Sequence, residues 1–529
     1  MDRRFASSAG PSRFRSCRFQ TVLLVCSLLL PLPASAQPPL DLFSARPPTG
    51  SRSSKADAIP SAQEYPLDLN LDLLSSGALS NGLLLRCEPQ PGVVVTARIS
   101  RVGSDVNGTL SILAPVVGRE GAFLTLSVSD GVALGDVTFP DERRRHAIRF
   151  DSAARRHVSR NVPDDELDEL PPGPAVFPPP PPPSSRSVPL PASDPAPADA
   201  GETVVDLLVV YSPAAASWAS SSGGGINNVV AQALNRAQLA MDNSAAGIVF
   251  RLVHSAQISY VESGSANTDL SRLRNASDGY MDNVHSLRNQ YGADLVCLLL
   301  NISDTGGLGY ALTSSFLPDG FPTWAFNLCR VQQVASGYTM VHEIGHNMGA
   351  GHHKAQNVQP GPQLYDYSAG WRWTGTNGLR FCSVMAYAPG SYYSDGITHT
   401  QVGYFSSPTV SYAGTPTGDA ADGDNARTLR ATRALTAAYR DAIVSPFWFK
   451  AIPLDNRVML RWENPVDCGF SSPSVLVRSA TAAYPTNVSQ GSLVYQGAAR
   501  QFVHSNLTPS QPLYYTIWLS DDGSNFVEP

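Results

Sequence analysis

The sequence predicts a multidomain chain. At its centre is an α/β (α+β) domain with a mixed sheet and an active-site helix, preceded by a β-rich region and followed by an all-β sandwich. Three observations predict this. Between residues 203 and 347, apolar runs alternate with stretches of helical spacing, as in a sheet packed by helices. On either side, short β-type runs are separated by glycine or polar clusters. Residues 342–352 read HEIGHNMGAGH, a spacing that requires a helix, a turn and a return of the chain. A length of 529 residues suits three or four such units.

Residues 1–36 read as a secretory signal. Arg3, Arg4, Arg13, Arg15 and Arg18 precede an apolar run over 21–32 and the small residues Ala34, Ser35 and Ala36, with cleavage expected after Ala36. The apolar run is too short to span a bilayer and no later stretch qualifies, so a secreted, extracellular protein without a membrane span is expected. A net charge of −6 argues against general nucleic-acid or anionic-membrane binding.

Residues 37–170 form the expected propeptide, with β-type runs at 93–100, 109–113 and 122–130. Within it, Cys87 has two readings. A thiolate is a good zinc ligand and would hold a zymogen latent, whereas a small apolar strand residue would simply be buried. Residues 171–200 are a proline-rich linker, with six consecutive prolines at 178–183. Such a run favours extended polyproline II and reads as an exposed tether.

The central domain spans 201–444. Residues 204–211 are an apolar strand, and 226–244 carry helical spacing at Val229, Ala233, Ala237 and Met241. A strand follows at 248–253, a helix at 278–291 and a buried strand at 293–300. The active-site helix is expected after Ser336 as N-cap, and residues 424–440 form the last helix.

On that active-site helix, His342 and His346 lie four residues apart and share one face, so both rings can reach one metal ion. Glu343 is rotated about 100° away and flanks the ion, where a general base is needed. Gly349 can take the positive φ that ends a helix and return the chain with His352 as third ligand. Three protein ligands leave a fourth position open, the mark of a catalytic zinc. His353 reads as solvent-facing or as a neighbour of the ligands.

Downstream, Cys382-Ser383-Val384-Met385-Ala386-Tyr387 resembles the methionine turn of the metzincin zinc endopeptidases. The resemblance implies that Met385 is an apolar floor beneath the histidines and that Tyr387 contacts the metal or the transition-state oxyanion. Residues 204–215, the GADLVCLLL strand, the GLGYA stretch and residues 404–432 are similar to bacterial reprolysin-like metalloproteases, most of all to peptidyl-Asp metalloendopeptidases. The similarity covers about 203–440. His353 stands where typical reprolysins carry aspartate. The family pattern also implies an edge strand at 308–312, along which Gly309, Tyr310 and Ala311 would hold a substrate peptide as an added strand.

Seven cysteines, two of them in the signal, leave five afterwards. Cys329 just before the active-site helix and Cys382 just before the methionine turn are a possible disulfide in an exported protein, although sequence leaves connectivity open. Cys297 reads as a buried thiol. Residues 445–529 resemble a fibronectin type III domain, with Trp462 in the core, Tyr514 at a corner and a last strand that is short or missing.

The expected function is a secreted zinc metalloendopeptidase, made as a zymogen and acting on protein or peptide substrates as a monomer. It would hold one catalytic Zn²⁺, activate a water through the metal and use Glu343 as general base. Calcium is left open by the sequence. Two other classes remain: a zinc hydrolase of a non-peptide substrate, and an adhesion or binding protein whose protease fold is vestigial. Cleavage of an unbiased peptide library separates these readings.

Overall fold

The computed structural model describes residues 38–47, 63–167, 169–181, 201–317, 320–440, 449–454, 456–462, 474–499, 501–508 and 511–520. The expected signal over 1–36, Cys468 and the positions after Ser520 lie outside the described residues. Residues 39–529 belong to one compact unit.

Short alternating runs before the proline-rich stretch fold as one ten-stranded sheet from Leu40–Ala45 to Arg156–Pro163. From Arg101–Ser104 to Arg144–Asp151 the strands are antiparallel neighbours in chain order, the arrangement that tight turns permit. An Ala97–Val116 bridge brings the strand at the far end of the order, Val93–Arg98, against the end of Leu110–Pro115. Leu42, Leu85, Ile112, Leu124, Leu126 and Ile148 are fully buried inside this sheet.

In the central domain the order across the sheet is Ile248–Gln257, Thr203–Tyr211, Leu295–Leu300, Phe326–Arg330 and Gly307–Gly309. The first four are parallel and the last is antiparallel to its neighbour. Leu295–Leu300 is buried at every position, as a parallel strand covered on both faces must be. Ser212 begins the helix Pro213–Ser222: its side chain accepts the Ala215 N–H, and Pro213 supplies a preset φ.

Several boundaries depart from the sequence expectations. The strand Phe326–Arg330 and the helices Pro213–Ser222 and Ala266–Arg274 were not anticipated. The expected 278–291 helix spans Asp282–Gln290. The active-site helix runs Thr339–Asn347 with Tyr338, not Ser336, at its N-cap; the Ser336 hydroxyl instead donates to the Gln333 carbonyl at 3.2 Å. The last helix is Asn425–Thr436, capped by Asp424, whose side chain accepts the Arg427 N–H.

The helix Ile226–Asn243 is covered on two sides. Val229, Val230, Ala233, Ala237 and Met241 join the core of the central domain. The β-rich sheet covers polar residues on the same helix. Asn228 Nδ2 donates to the Val132 carbonyl at 3.0 Å, Gln232 bonds Thr125, and Arg236 pairs with Asp136.

At the C-terminal end two three-stranded antiparallel sheets face a small core. One is Phe449–Leu454, Arg457–Trp462 and Gln501–His504; the other is Ser492–Gly497, Ser474–Ala480 and Tyr514–Ser520. Trp462 is buried and its indole N–H donates to the Ala499 carbonyl at 2.7 Å. The neighbour of the expected corner tyrosine occupies the core: Tyr515 is buried and bonds His504 Nδ1 at 2.9 Å, whereas Tyr514 packs on Tyr484. Strand alternation puts these adjacent tyrosines on opposite faces.

Candidate metal centre

The helix Thr339–Asn347 is buried along its whole length. Its position against the sheet edge comes from Asn347, which donates to the carbonyls of Tyr310 at 2.8 Å and Phe326 at 3.1 Å and accepts from Asn327 Nδ2 at 2.8 Å. The helix ends at Gly349, whose φ of +93° is left-handed and whose added Cβ would lie 2.6 Å from Leu364. His352 is then brought back beside the other two histidines.

His342, His346 and His352 are the group of metal-ligand type among the described residues, with donor atoms within 4.8 Å of one another. The Nε2 atoms of His342 and His352 are 3.2 Å apart, and those of His346 and His352 are 3.0 Å apart. Zn–N bonds of about 2.0–2.1 Å in a tetrahedral shell place neighbouring nitrogens about 3.3 Å apart, so this spacing fits a zinc ion. Each opposite ring nitrogen faces an oxygen acceptor: His342 Nδ1 the Val384 carbonyl at 2.9 Å, His346 Nδ1 Gln363 Oε1 at 2.8 Å and His352 Nδ1 the Gln359 carbonyl at 3.0 Å. These acceptors put the proton on Nδ1 and leave each Nε2 lone pair facing its partners. Burial lowers the basicity of His342 to about 3 and of His346 to about 4, and lowers His352 too, with neighbouring imidazoles adding to the effect at His342 and His352. Neutral rings are the form that binds metal.

Glu343 is fully buried, and neither carboxylate oxygen has a hydrogen-bond partner. Burial, with the Cys297 thiol as a lesser cause, raises its pKa well above the usual carboxyl range. An orphaned buried carboxylate beside three convergent imidazoles fits a site built around a cation and a reacting group. Gly307 allows the edge strand to approach it, because a Cβ there would lie 2.7 Å from Glu343 Oε1.

Met385 is fully buried under the helix, and Gly345 lacks a side chain where a Cβ would meet Met385 Sδ at 2.8 Å. Tyr387 packs its ring 4.8 Å from His352 and 6.1 Å from His342. Its hydroxyl donates to the Pro172 carbonyl at 2.8 Å. His353 is half-buried against Trp371 and Tyr393 and lies outside the ligand group.

The edge strand is Gly307–Gly309, shorter than the expected 308–312 and beginning one residue earlier. Gly309, Tyr310 and Ala311 do meet an extended chain, and it is the protein's own. Gly173 N–H donates to the Gly307 carbonyl at 2.7 Å, Val176 N–H to the Gly309 carbonyl at 2.8 Å, and Ala311 N–H to the Val176 carbonyl at 2.9 Å. Val176 and Tyr310 form a parallel bridge. The first part of the supposed exposed tether is therefore docked. Its proline-rich sequence makes it extended, and an extended chain with free backbone groups can pair with a sheet edge.

The expected Cys329–Cys382 bridge is absent, and of the two readings of Cys87 the buried strand residue is the one observed. Cys329 and Cys382 are free thiols in separate sheets, and the neighbour of Cys329 is Cys297, with sulfurs 3.9 Å apart across adjacent parallel strands. Cys87 is fully buried in the core of the β-rich sheet and does not join the histidine group, because its strand turns it toward its own apolar core. Burial pushes its thiol well above the usual range, the reverse of what a thiolate ligand needs.

The residues that sequence reading missed are those that hold the ligands. Gln363 accepts from His346 while its amide donates to the Leu312 and His346 carbonyls, each at 3.0 Å. Asn425 clamps Gly351 by accepting its N–H at 3.1 Å and donating to its carbonyl at 2.9 Å. A Cβ on Gly351 would lie 2.4 Å from the Ser368 carbonyl oxygen and 2.7 Å from the Gln363 nitrogen, both backbone atoms. Gly351→Ala should therefore displace His352 and weaken zinc binding about 10–100-fold, a size typical of lost ligand support. Titration against a chromophoric chelator measures this, and an unchanged affinity would show that the turn yields without moving the ligand.

Comparison with known proteins adds to this geometry. Residues 201–398 match the family model described as Reprolysin_5, metallo-peptidase family M12. The chain is 35% identical over 238 residues to a peptidyl-Asp metalloendopeptidase of Stenotrophomonas maltophilia (strain R551-3), covering 45% of this chain and 53% of the relative. It is 33% identical over 238 residues to one of Xanthomonas campestris pv. campestris, covering 45% and 52%. The chain thus spans about half the length of these curated relatives. Among solved structures, metalloproteinase-II from Bacteroides fragilis aligns with a TM-score of 0.36 at 11% identity, over 56% of this chain and 89% of that one.

Proposed function

Because residues 201–398 match the model of a reprolysin-like family, metallo-peptidase family M12, we propose that the protein is a zinc-dependent endopeptidase that hydrolyses internal peptide bonds. The observation that carries this is the triad of buried imidazoles at the foot of a groove that already holds an extended peptide segment. A sheet edge that pairs with an extended backbone suits a peptide better than a small non-peptide substrate.

In this reading His342, His346 and His352 would hold one zinc ion, each offering the Nε2 atom that faces its partners. When bound, the ion supplies Lewis acidity toward the scissile carbonyl and lowers the pKa of water beside it. Glu343 accepts the proton of the attacking water and returns it to the leaving amine. Tyr387, whose hydroxyl already donates to a peptide carbonyl, donates to the oxygen on which negative charge develops. Met385 keeps the floor of the site apolar and dry.

The wider proposal is that the enzyme is exported and made as a zymogen, with residues 37–170 as propeptide. Support for export comes from the N-terminal sequence pattern. The C-terminal pair of sheets around Trp462 supports the fibronectin type III-like reading.

The test is digestion of an unbiased peptide library by processed, zinc-loaded protein, with and without chelator. Chelator-sensitive internal cuts are expected, and their absence would overturn the proposal. The same data read bond preference. The matched relatives are named for peptidyl-Asp bonds, and cuts clustered at aspartate would extend that preference to this chain.

A further inference from the structure

The extended segment over 170–176 is held by two glutamine side chains as well as by the sheet edge. Gln333 Oε1 accepts the Leu170 N–H at 2.9 Å, and its Nε2 donates to the Leu170 carbonyl at 2.9 Å. Gln359 does the same to Ala175, accepting its N–H at 2.6 Å and donating to its carbonyl at 2.7 Å. Each amide thus satisfies both backbone groups of one residue. The two clamped residues are five apart, about 16 Å of extended chain, and the edge-strand and Tyr387 contacts lie between them.

Three features make this a built site. Gln333 is 2% exposed, and its Nε2 also donates to Thr339 Oγ1 at 2.8 Å, which fixes the amide before any peptide arrives. Gln359 offers its own carbonyl to His352, so the clamp and the metal-ligand triad share one residue. Gly306 leaves room for the peptide, since a Cβ there would lie 2.2 Å from the Leu170 carbonyl oxygen. All of these bonds go to backbone atoms of the segment, so nothing in them selects a side chain. Any extended peptide offers the same groups.

We infer that Gln333 and Gln359 are paired peptide-backbone clamps, occupied in the full chain by residues 170–176 and used by substrate after that segment leaves. The inference rests on the endopeptidase reading above and deepens it, by naming the positioning residues of the groove and the peptide that blocks them. Pro171, Pro172 and Pro174 suit the blocking role. They have no N–H to satisfy and their φ is preset, which lowers the entropy lost on docking.

Two measurements test this. The first is amide hydrogen exchange in the full chain carrying Glu343→Gln, which keeps the segment attached. Slow exchange is expected at Leu170, Gly173, Ala175 and Val176, the positions whose N–H has an acceptor. Adding Gln359→Ala should speed exchange at Ala175 about tenfold, and Gln333→Ala should do so at Leu170, while the helix Thr339–Asn347 stays protected and reports that the fold is intact. The second uses the processed enzyme and an eight-residue peptide taken from the library cuts. Gln359→Ala should raise KM about tenfold and leave kcat within about twofold, the pattern of lost uniform binding.

Solvent-rate exchange at all four amides overturns the docked segment. A Gln359→Ala enzyme with unchanged KM overturns the substrate clamp. A wild-type enzyme that cuts no peptide overturns the endopeptidase reading instead, and the exchange experiment still decides whether the glutamines hold the segment.

Discussion

Glu343→Gln should leave the protein folded and able to take up one zinc ion while lowering peptide turnover about 10²–10⁴-fold, the usual contribution of a positioned acid–base group. The substitution keeps the shape of the side chain and removes its ability to accept a proton. Both carboxylate oxygens are buried without a partner, so no structural hydrogen bond is lost. Burial disfavours the charged form, and a neutral amide therefore leaves the thermal transition of the metal-free protein unchanged or slightly raised. Zinc content and kcat measured on the same preparation separate the two effects. Turnover near wild type, with zinc bound, would remove Glu343 from the mechanism.

Asp136→Ala should be the most damaging single change away from the metal centre, at about 3–5 kcal/mol. Arg236, at 1% exposure, pairs with Asp136 across the boundary between the helix Ile226–Asn243 and the β-rich sheet. Burial opposes the guanidinium charge and Asp136 more than restores it, so the net effect raises the Arg236 pKa. Removing the carboxylate leaves a buried cation with no counter-charge at contact distance, only a 3.4 Å contact to Thr138 Oγ1 and the rings of Phe123 and Tyr338, 5.0 and 5.7 Å from the guanidinium carbon. Denaturant unfolding of the full chain measures the loss. Asp136→Ala with Arg236→Met should recover most of it, because no charge is then stranded. A loss below about 1 kcal/mol in the single variant would mean that water reaches Arg236 when its partner is gone.

The candidate metal centre is largely legible in the sequence because its three histidines lie within eleven residues, where helix geometry and one glycine fix their relations. The strands Thr203–Tyr211 and Leu295–Leu300 are legible for a similar reason, since long apolar runs have one physical outcome. Phe326–Arg330 is not, being five residues without alternation that become a strand only because Leu295–Leu300 offers a partner. The supports of the ligands are hidden for another reason. Gln359 touches Ala175 across 184 positions and Asn425 touches Gly351 across 74, and nothing local distinguishes these side chains from ordinary surface amides. For residues 171–178, composition rightly implies an extended chain, and extension alone does not say whether water or a sheet edge takes the backbone groups. The cysteines mislead because proximity to the active-site elements along the chain is not proximity in space: Cys329 sits in the large sheet beside Cys297, while Cys382 belongs to a small sheet with Arg372–Thr374 and Thr400–Gln401.

The helix Ile226–Asn243 has one oily flank and one flank of amides, with Asn228, Gln232 and Asn235 all bonded to the β-rich sheet. Water can take over each of those bonds at little net cost, whereas it could not replace apolar contacts so cheaply. The two neighbours of this helix are therefore attached in different ways. Leaving the central sheet would expose a core, and leaving the β-rich sheet would break the Asp136–Arg236 pair and uncover Leu113 and Phe123, which reach from that sheet into the same core. The boundary is held by amides, by one buried ion pair and by apolar side chains of the β-rich sheet that complete the central core.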